Sequence, residues 1–152
     1  IIIPRHVERA LEIKNELEKF SLNAHLHSNK FKVKRDLDVY IVDTYGEANK
    51  FYKISNLVFM GGSLINHGGQ NPLEPARAGC KIIHGPHIAN FKEIYKKLEF
   101  MGISEKFKSY DAGINIIRRK YNIKNKSFDN KKIIQYGEKV LNSTYSKLAN
   151  LI

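Results

Sequence analysis

Short apolar runs rich in β-branched residues alternate with helical patterns through at least the first hundred residues, and this alternation most narrows the folds open to the chain. A strand buried on both faces reads as a near-continuous apolar run, whereas a crossover helix reads with an apolar period near 3.6. Their regular succession predicts an α/β fold built on a parallel sheet with crossover helices.

The pattern places a strand at Ile1 to Ile3, then a helix with Ala10, Ile13, Leu17 and Phe20 on its inner face and Glu8, Glu12, Glu16 and Lys19 in solvent. Further strands are expected at Ala24 to Leu26, Val39 to Val42, Leu57 to Met60 and Lys81 to Ile83. Asp43 to Gly46 should turn into a short helix near Glu47, and Asn71-Pro72-Leu73-Glu74 should open another that Gly79 ends, because proline suits a first turn. Gly85-Pro86 leads toward a helix with Asn90 as its N-cap and Glu93 three residues on, carrying Phe91, Ile94, Tyr95 and Leu98 inward. Ile114, Ile117 and Tyr121 mark one later helix; Ile133, Val140, Leu141, Leu148 and Leu151 mark a longer terminal one beyond a loop from Asn122 to Asn130.

At 152 residues the length prior gives one domain, with enough chain to bury a core. No apolar run approaches the ~20 residues that a membrane span needs. A net charge of +11 favours an anionic partner, such as nucleic acid, anionic lipid or a phosphorylated ligand, without choosing among them; a solvated lysine face accounts for it equally well. The lone Cys80 excludes an internal disulfide and, preceding an apolar run, reads as core rather than nucleophile. Ile1 to Ile3 read as the middle of a strand, so the start reads as a cut with sequence missing upstream.

Ligands of open parallel sheets bind beyond the carboxyl ends of the strands, which directs attention to the residues just after each strand. There, Pro4 stiffens the strand exit and Arg5 supplies a permanent cation suited to phosphate or carboxylate, although a surface arginine starting an ordinary helix is an alternative. Gly46 allows close backbone approach after Tyr45, and the amides opening the next helix offer donors to an anion; Glu47 reads equally as a capping acid or as a ligand contact. The stretch Gly61-Gly62-Ser63, then Gly68-Gly69-Gln70-Asn71-Pro72-Leu73-Glu74-Pro75-Ala76, is more specific. Asn71 offers a donor and an acceptor, and the Glu74 carboxylate can accept both hydroxyls of a ribose diol. His67, His84 and His87 match no standard metal spacing, so no metal site is expected.

Pro-Arg-His-x-Glu-Arg, Asp-Thr-x-Gly-Glu, Phe-Met-Gly-Gly-Ser, Gly-Gly-x-Asn-Pro-Leu-Glu-Pro-Ala and Gly-Pro-His-x-x-Asn-Phe follow one another between residues 4 and 91. In order and spacing they resemble the motifs of 3-deoxy-D-manno-octulosonic acid (Kdo) transferases. The resemblance implies the C-terminal half of a GT-B glycosyltransferase, a Rossmann-like parallel sheet with helices on both faces, residues 1–152 forming the CMP-Kdo-binding domain with the N-terminal acceptor domain absent. It implies transfer of Kdo from CMP-Kdo to a lipid A precursor at the cytoplasmic face of the inner membrane, with inversion, no cofactor and no metal. CMP contacts are then expected from Pro4, Arg5, Tyr45, Gly46, Glu47, Asn71, Pro72, Leu73 and Glu74, with Gly62 and Ser63 lining the same cleft.

The family's general base, a glutamate, belongs to the N-terminal domain, so the isolated chain is expected to bind nucleotide without turnover. Gln70 stands where the family usually has histidine, which removes any imidazole role there. Lys92, Lys96 and Lys97 either face an anionic membrane or form an ordinary solvated helix face. Two rival readings are another GT-B nucleotide-sugar enzyme, a UDP- or ADP-sugar transferase or a UDP-sugar epimerase, and a basic nucleic-acid-binding module. The Gly/Asn/Glu motifs concentrated at strand ends argue against nucleic acid.

Overall fold

Every strand pairing among the described residues, 1–29, 36–121 and 130–149 of this computed structural model, is parallel. The chain divides into two compact units, Ile1–Phe51 and Tyr52–Ile152.

In the first unit, β1 (Ala24–Leu26) pairs with β2 (Val39–Ile41) in the register Ala24 to Val39 and Leu26 to Ile41. The strand expected at Ile1 to Ile3 reduces to a single bridge between Ile2 and Ile41, made by Ile2 N–H to Tyr40 O at 2.8 Å and Val42 N–H to Ile2 O at 2.9 Å. Pro4 follows two residues later and has no N–H with which to extend the ladder. A short 3-10 turn, Val7–Arg9, leads into α1 (Ala10–Lys19), which buries Ala10 and half-buries Ile13 and Leu17 while Glu12, Glu16 and Lys19 stay exposed. Phe20 departs from the expected face and is 78% exposed: it is already the C-cap, and the chain then turns through Ser21 at φ 59°.

The second unit contains a sheet in the order β3 (Leu57–Phe59), β4 (Lys81–His84), β5 (Ser104–Lys106). Before it, α2 (Ala48–Ile54) carries the chain across the division. The crossovers contain α3 (Leu73–Arg77) and α4 (Lys92–Phe100); α5 (Tyr110–Tyr121) and α6 (Lys131–Ala149) follow β5. The pleat sends neighbouring residues of β4 to opposite faces. Ile82 packs with Met60, Ala76, Tyr95, Leu98, Ile103 and Ile133, so α3, α4 and α6 cover one face. Ile83 packs with Phe107, Ile116 and Leu57, so α5 covers the other. Both isoleucines are fully buried, each worth about 1.5–3 kcal/mol of apolar transfer. Helices on both faces of a parallel sheet are the arrangement the sequence led us to expect.

One local expectation, the cap at Asn90, is corrected, and the two later helices stand where they were expected with inward faces that the sequence left open. Asn90 is not the cap of α4, which starts one residue later, at Lys92 with Phe91 as its N-cap, after a 3-10 turn at Ala89–Phe91; the Asn90 N–H instead goes to Gly68 O at 3.1 Å. In α5, Ile114 and Ile117 are exposed and Ile116 faces in, because Gly113 lets the helix approach the Phe107 ring, where a Cβ would stand 3.0 Å from Cε2. In α6, Ile133 is buried, but Val140, Leu141 and Leu148 are exposed. The side chain of Tyr121, the expected loop apart from Asn130, and Leu151 lie outside the described residues.

Cys80 is fully buried with its thiol directed to the carbonyls of Tyr52 and Ser55 at 3.1 and 3.2 Å, a core position as expected. No helix among the described residues is long and apolar enough to cross a membrane.

Candidate functional site

The expected site residues fall into two clusters, one in each unit. In the first unit, parallel pairing of Ile2 with Ile41 makes the segments starting at Pro4 and at Asp43 leave at the same, carboxyl end of the strands. Pro4 is half-buried and Arg5 exposed; among the described residues Arg5 has no ion-pair partner. Tyr45 joins the two exits, donating from its hydroxyl to Glu8 Oε2 at 3.3 Å while remaining 72% exposed.

Gly46 adopts φ +79° with open space around its missing Cβ, so the glycine serves backbone conformation and not close packing. The Glu47 carboxylate meets Lys50 Nζ at 2.6 Å, and that hydrogen bond is the main reason it sits below the ordinary glutamate value. Asp43 anchors the same exit: burial pushes its carboxyl up, but the Ser28 hydroxyl and amide outweigh this, leaving it below the usual range.

Thr44 was not among the residues expected from sequence. Its hydroxyl is buried with no hydrogen-bond partner among the described residues, a rare condition that no spacing rule reveals.

In the second unit, β3 and β4 also run parallel, so Gly61-Gly62-Ser63 and Gly85-Pro86 emerge together. Ser63 locks these exits. Its buried hydroxyl donates to Met60 O at 2.6 Å and accepts from Gly85 N–H at 2.9 Å, and its carbonyl accepts His87 N–H at 2.9 Å. The hydroxyl expected to line a cleft is therefore engaged inside the fold, as a fastener between loops.

Gly62 is half-buried at φ +68°, and its carbonyl accepts Gly69 N–H at 3.2 Å, folding the loop back on itself. Gly68 and Gly69 are both at φ +77°, pressed against Asn90 and the His87-Ile88 backbone, so the Gly-Gly pair is required by conformation and by space.

The Asn-Pro-Leu-Glu segment divides its labour. Pro72 is fully buried and Leu73 packs against the Met60 cluster, so these two anchor the segment. Asn71 and Glu74 remain exposed; Asn71 Oδ1 accepts Leu73 N–H at 3.1 Å, and Glu74 stands in the first turn of α3. Buried Pro75 and Ala76 fix the base beneath the Glu74 carboxylate. That charge is felt nearby: the Tyr52 phenol is pushed above its ordinary value first by burial and then by Glu74.

Of the histidines considered as metal ligands, His84 is buried with Nδ1 2.8 Å from Gly85 O and Nε2 3.0 Å from Glu99 Oε1, so both ring nitrogens are engaged. Among α4 lysines, Lys96 pairs with Glu93 at 3.0 Å and Lys97 lies over the Tyr136 ring at 4.3 Å. An open recess of about 580 Å³ beside β5 and α5 contains none of the expected site residues, and its Glu105 carboxylate is already paired with Arg119 and Lys120.

No family model matches the chain. Among curated proteins it is 36% identical over 113 residues to the 3-deoxy-D-manno-octulosonic acid transferase of Haemophilus influenzae, which covers 74% of this chain and 26% of that protein. It is 32% identical over 148 residues to the 3-deoxy-D-manno-octulosonic acid transferase of Rickettsia typhi, covering 93% of this chain and 32% of that protein. Among solved structures it matches the C-terminal CMP-Kdo binding domain of WaaA from Acinetobacter baumannii with a TM-score of 0.74 and 26% identity, over 91% of this chain and 72% of that one. The chain thus spans about a third or less of the length of these curated relatives.

Proposed function

We propose that this chain, which belongs to the Kdo transferase family and corresponds to its C-terminal domain, binds the donor sugar nucleotide CMP-Kdo. The observation that carries this reading is the exposed Glu74 carboxylate on a buried Pro72 and Pro75 base, in a fold that matches a domain of that binding function. Residues 1–152 together are assigned to donor binding.

In this reading Glu74 accepts hydrogen bonds from the two ribose hydroxyls and Asn71 adds a further polar contact, while Pro72 and Leu73 hold both in place. Tyr45, Gly46 and Glu47 contribute contacts from the Asp43 exit, alongside Pro4. Transfer breaks the bond from the sugar's anomeric carbon to the phosphate oxygen, and CMP departs with growing negative charge. Arg5, exposed and unpaired among the described residues, supplies the opposing cation.

The parent protein is proposed to be an inverting, metal-independent glycosyltransferase of GT-B architecture, without a cofactor, that moves Kdo to a lipid A precursor in lipopolysaccharide synthesis. The acceptor domain and the glutamate that takes the acceptor's proton lie in its N-terminal part. Its place of work is the cytoplasmic side of the inner membrane, where the surplus of cations suits anionic donor, acceptor and leaflet. The present chain alone binds without turnover.

Calorimetric titration with CMP, UMP and UDP tests the reading. CMP should bind most tightly, and Glu74→Ala should weaken it by ~10- to 100-fold, the scale of hydrogen bonds to a charged group. Arg5→Ala should weaken it as well, with both variants folded. Preference for UMP or UDP would overturn the donor assignment, and unchanged CMP affinity in Glu74→Ala would remove the ribose contact.

A further inference from the structure

We propose that Tyr95 is a positioning residue for donor binding: its hydroxyl fixes the backbone immediately before Asn71 and so sets where Asn71 and Glu74 present their polar groups. The inference rests on the preceding assignment of those two residues to nucleotide contact.

Tyr95 lies fully buried in the middle of α4, and its hydroxyl donates to Gln70 O at 3.0 Å. A buried phenol needs a partner, and any nearby carbonyl would serve stability alone. The carbonyl chosen belongs to the residue that precedes Asn71. Pro72 has no N–H, so the segment cannot be tied down by a backbone donor at that position. Upstream, the loop is held by Gly69 N–H to Gly62 O at 3.2 Å and by Asn90 N–H to Gly68 O at 3.1 Å; the Tyr95 contact extends that hold to the edge of the polar segment.

The Tyr95 ring is itself clamped. It packs on the buried His84 imidazole with ring centroids 4.3 Å apart, and His84 is fixed between Gly85 O and Glu99 Oε1. Glu99 stands one helical turn beyond Tyr95 on α4, so one helix supplies both the hydroxyl and the carboxylate of the clamp. His84 is the last residue of β4, next to Gly85, whose N–H holds Ser63. A connected set of side chains therefore runs from Glu99 through His84 and Tyr95 to the Gln70 backbone. Burial raises the Tyr95 phenol well above its ordinary value, which is itself high enough to leave the hydroxyl a neutral donor at physiological pH.

The test compares CMP affinity with thermal stability for Tyr95→Phe, well below the unfolding temperature. Phenylalanine keeps the ring and its packing and deletes the hydroxyl alone. CMP binding is expected to weaken ~3- to 10-fold, because the loosened segment must then be ordered as the nucleotide binds. Ile116→Val, on the opposite sheet face, serves as control: it should lower the unfolding temperature and leave CMP affinity unchanged.

If Tyr95→Phe does not fold, Glu99→Leu replaces it, removing the clamp at a partly exposed side chain, with Glu99→Gln expected to restore most of the affinity. Normal CMP binding by the folded clamp variant, beside weakened binding by Glu74→Ala, overturns this proposal alone. Failure of the unaltered chain to bind CMP overturns the site assignment and this proposal with it.

Discussion

Gly85→Ala should destabilise the second unit far more than a one-carbon change ordinarily does. A Cβ on Gly85 would stand 2.3 Å from Ser63 O and 2.8 Å from Ser63 C, both backbone atoms that no side-chain rotation can move away. The carbonyl would have to retreat roughly 0.7 Å to reach even a tight contact. That carbonyl holds His87 N–H at 2.9 Å, and the Ser63 hydroxyl bridges Met60 O and Gly85 N–H, so a retreat disturbs the bonds that Ser63 makes to Gly85 and His87.

Overpacking costs ~1–3 kcal/mol and each buried polar group left unpaired another ~1–3 kcal/mol, giving an expected loss of about 4 kcal/mol. Gly46→Ala provides the contrast. There φ is +79° but nothing lies within 4 Å of the added carbon, so the cost is the left-handed penalty alone, about 1–2 kcal/mol. The two units need not unfold together, so the assay is urea-dependent hydrogen exchange read at the β4 amides for Gly85→Ala and at the first unit for Gly46→Ala. A Gly85→Ala protein within about 1 kcal/mol of the parent would refute the close approach and the interlocked loops built on it.

The Asp43 carboxyl lies below its ordinary value in the folded state, so the stability it contributes is complete above the ordinary aspartate value and is lost as pH falls through the folded one. Urea midpoints of the first unit between neutral pH and pH ~3 should fall on acidification, and Asp43→Asn should flatten that acid-side slope. On α6, Ile133→Ala should cost ~2–4 kcal/mol by opening a cavity in the core, whereas Leu148→Ala should stay within ~0.5 kcal/mol; equal effects in denaturant titrations would contradict the burial difference between them.

Much of the architecture was readable because the strands are short apolar runs bounded by turn residues: Ala24 to Leu26 was placed to the residue, and Lys81 to Ile83 lacked only His84. The loop motifs were readable for a related reason. Clustered glycines before a proline demand special backbone angles, and Gly62, Gly68 and Gly69 all adopt positive φ. The inward face of α5 was not readable, because Ile114, Ile116 and Ile117 are equally apolar and the choice is made by Gly113 meeting Phe107.

Asn90 satisfied the pattern of a helix cap yet serves the Gly68 loop, a partner distant in sequence. Sequence also pointed to Pro72, Leu73, Asn71 and Glu74 as one set. Only the fold separates the two anchors from the two presenting groups, since burial depends on what packs beneath α3. The orphaned Thr44 hydroxyl and the Tyr95 contact depend on three-dimensional enclosure and leave no mark in spacing.

From Glu138 to Ala149 every residue of α6 is exposed, about three turns of helix beyond its buried start. A stretch that short is marginal in water when propensity alone supports it. Leu141, Tyr145 and Leu148 nonetheless form a continuous oily ridge along it. Wound onto a start already held by Ile133, these last turns have little packing of their own, so their amides should exchange with solvent ahead of those in the sheet.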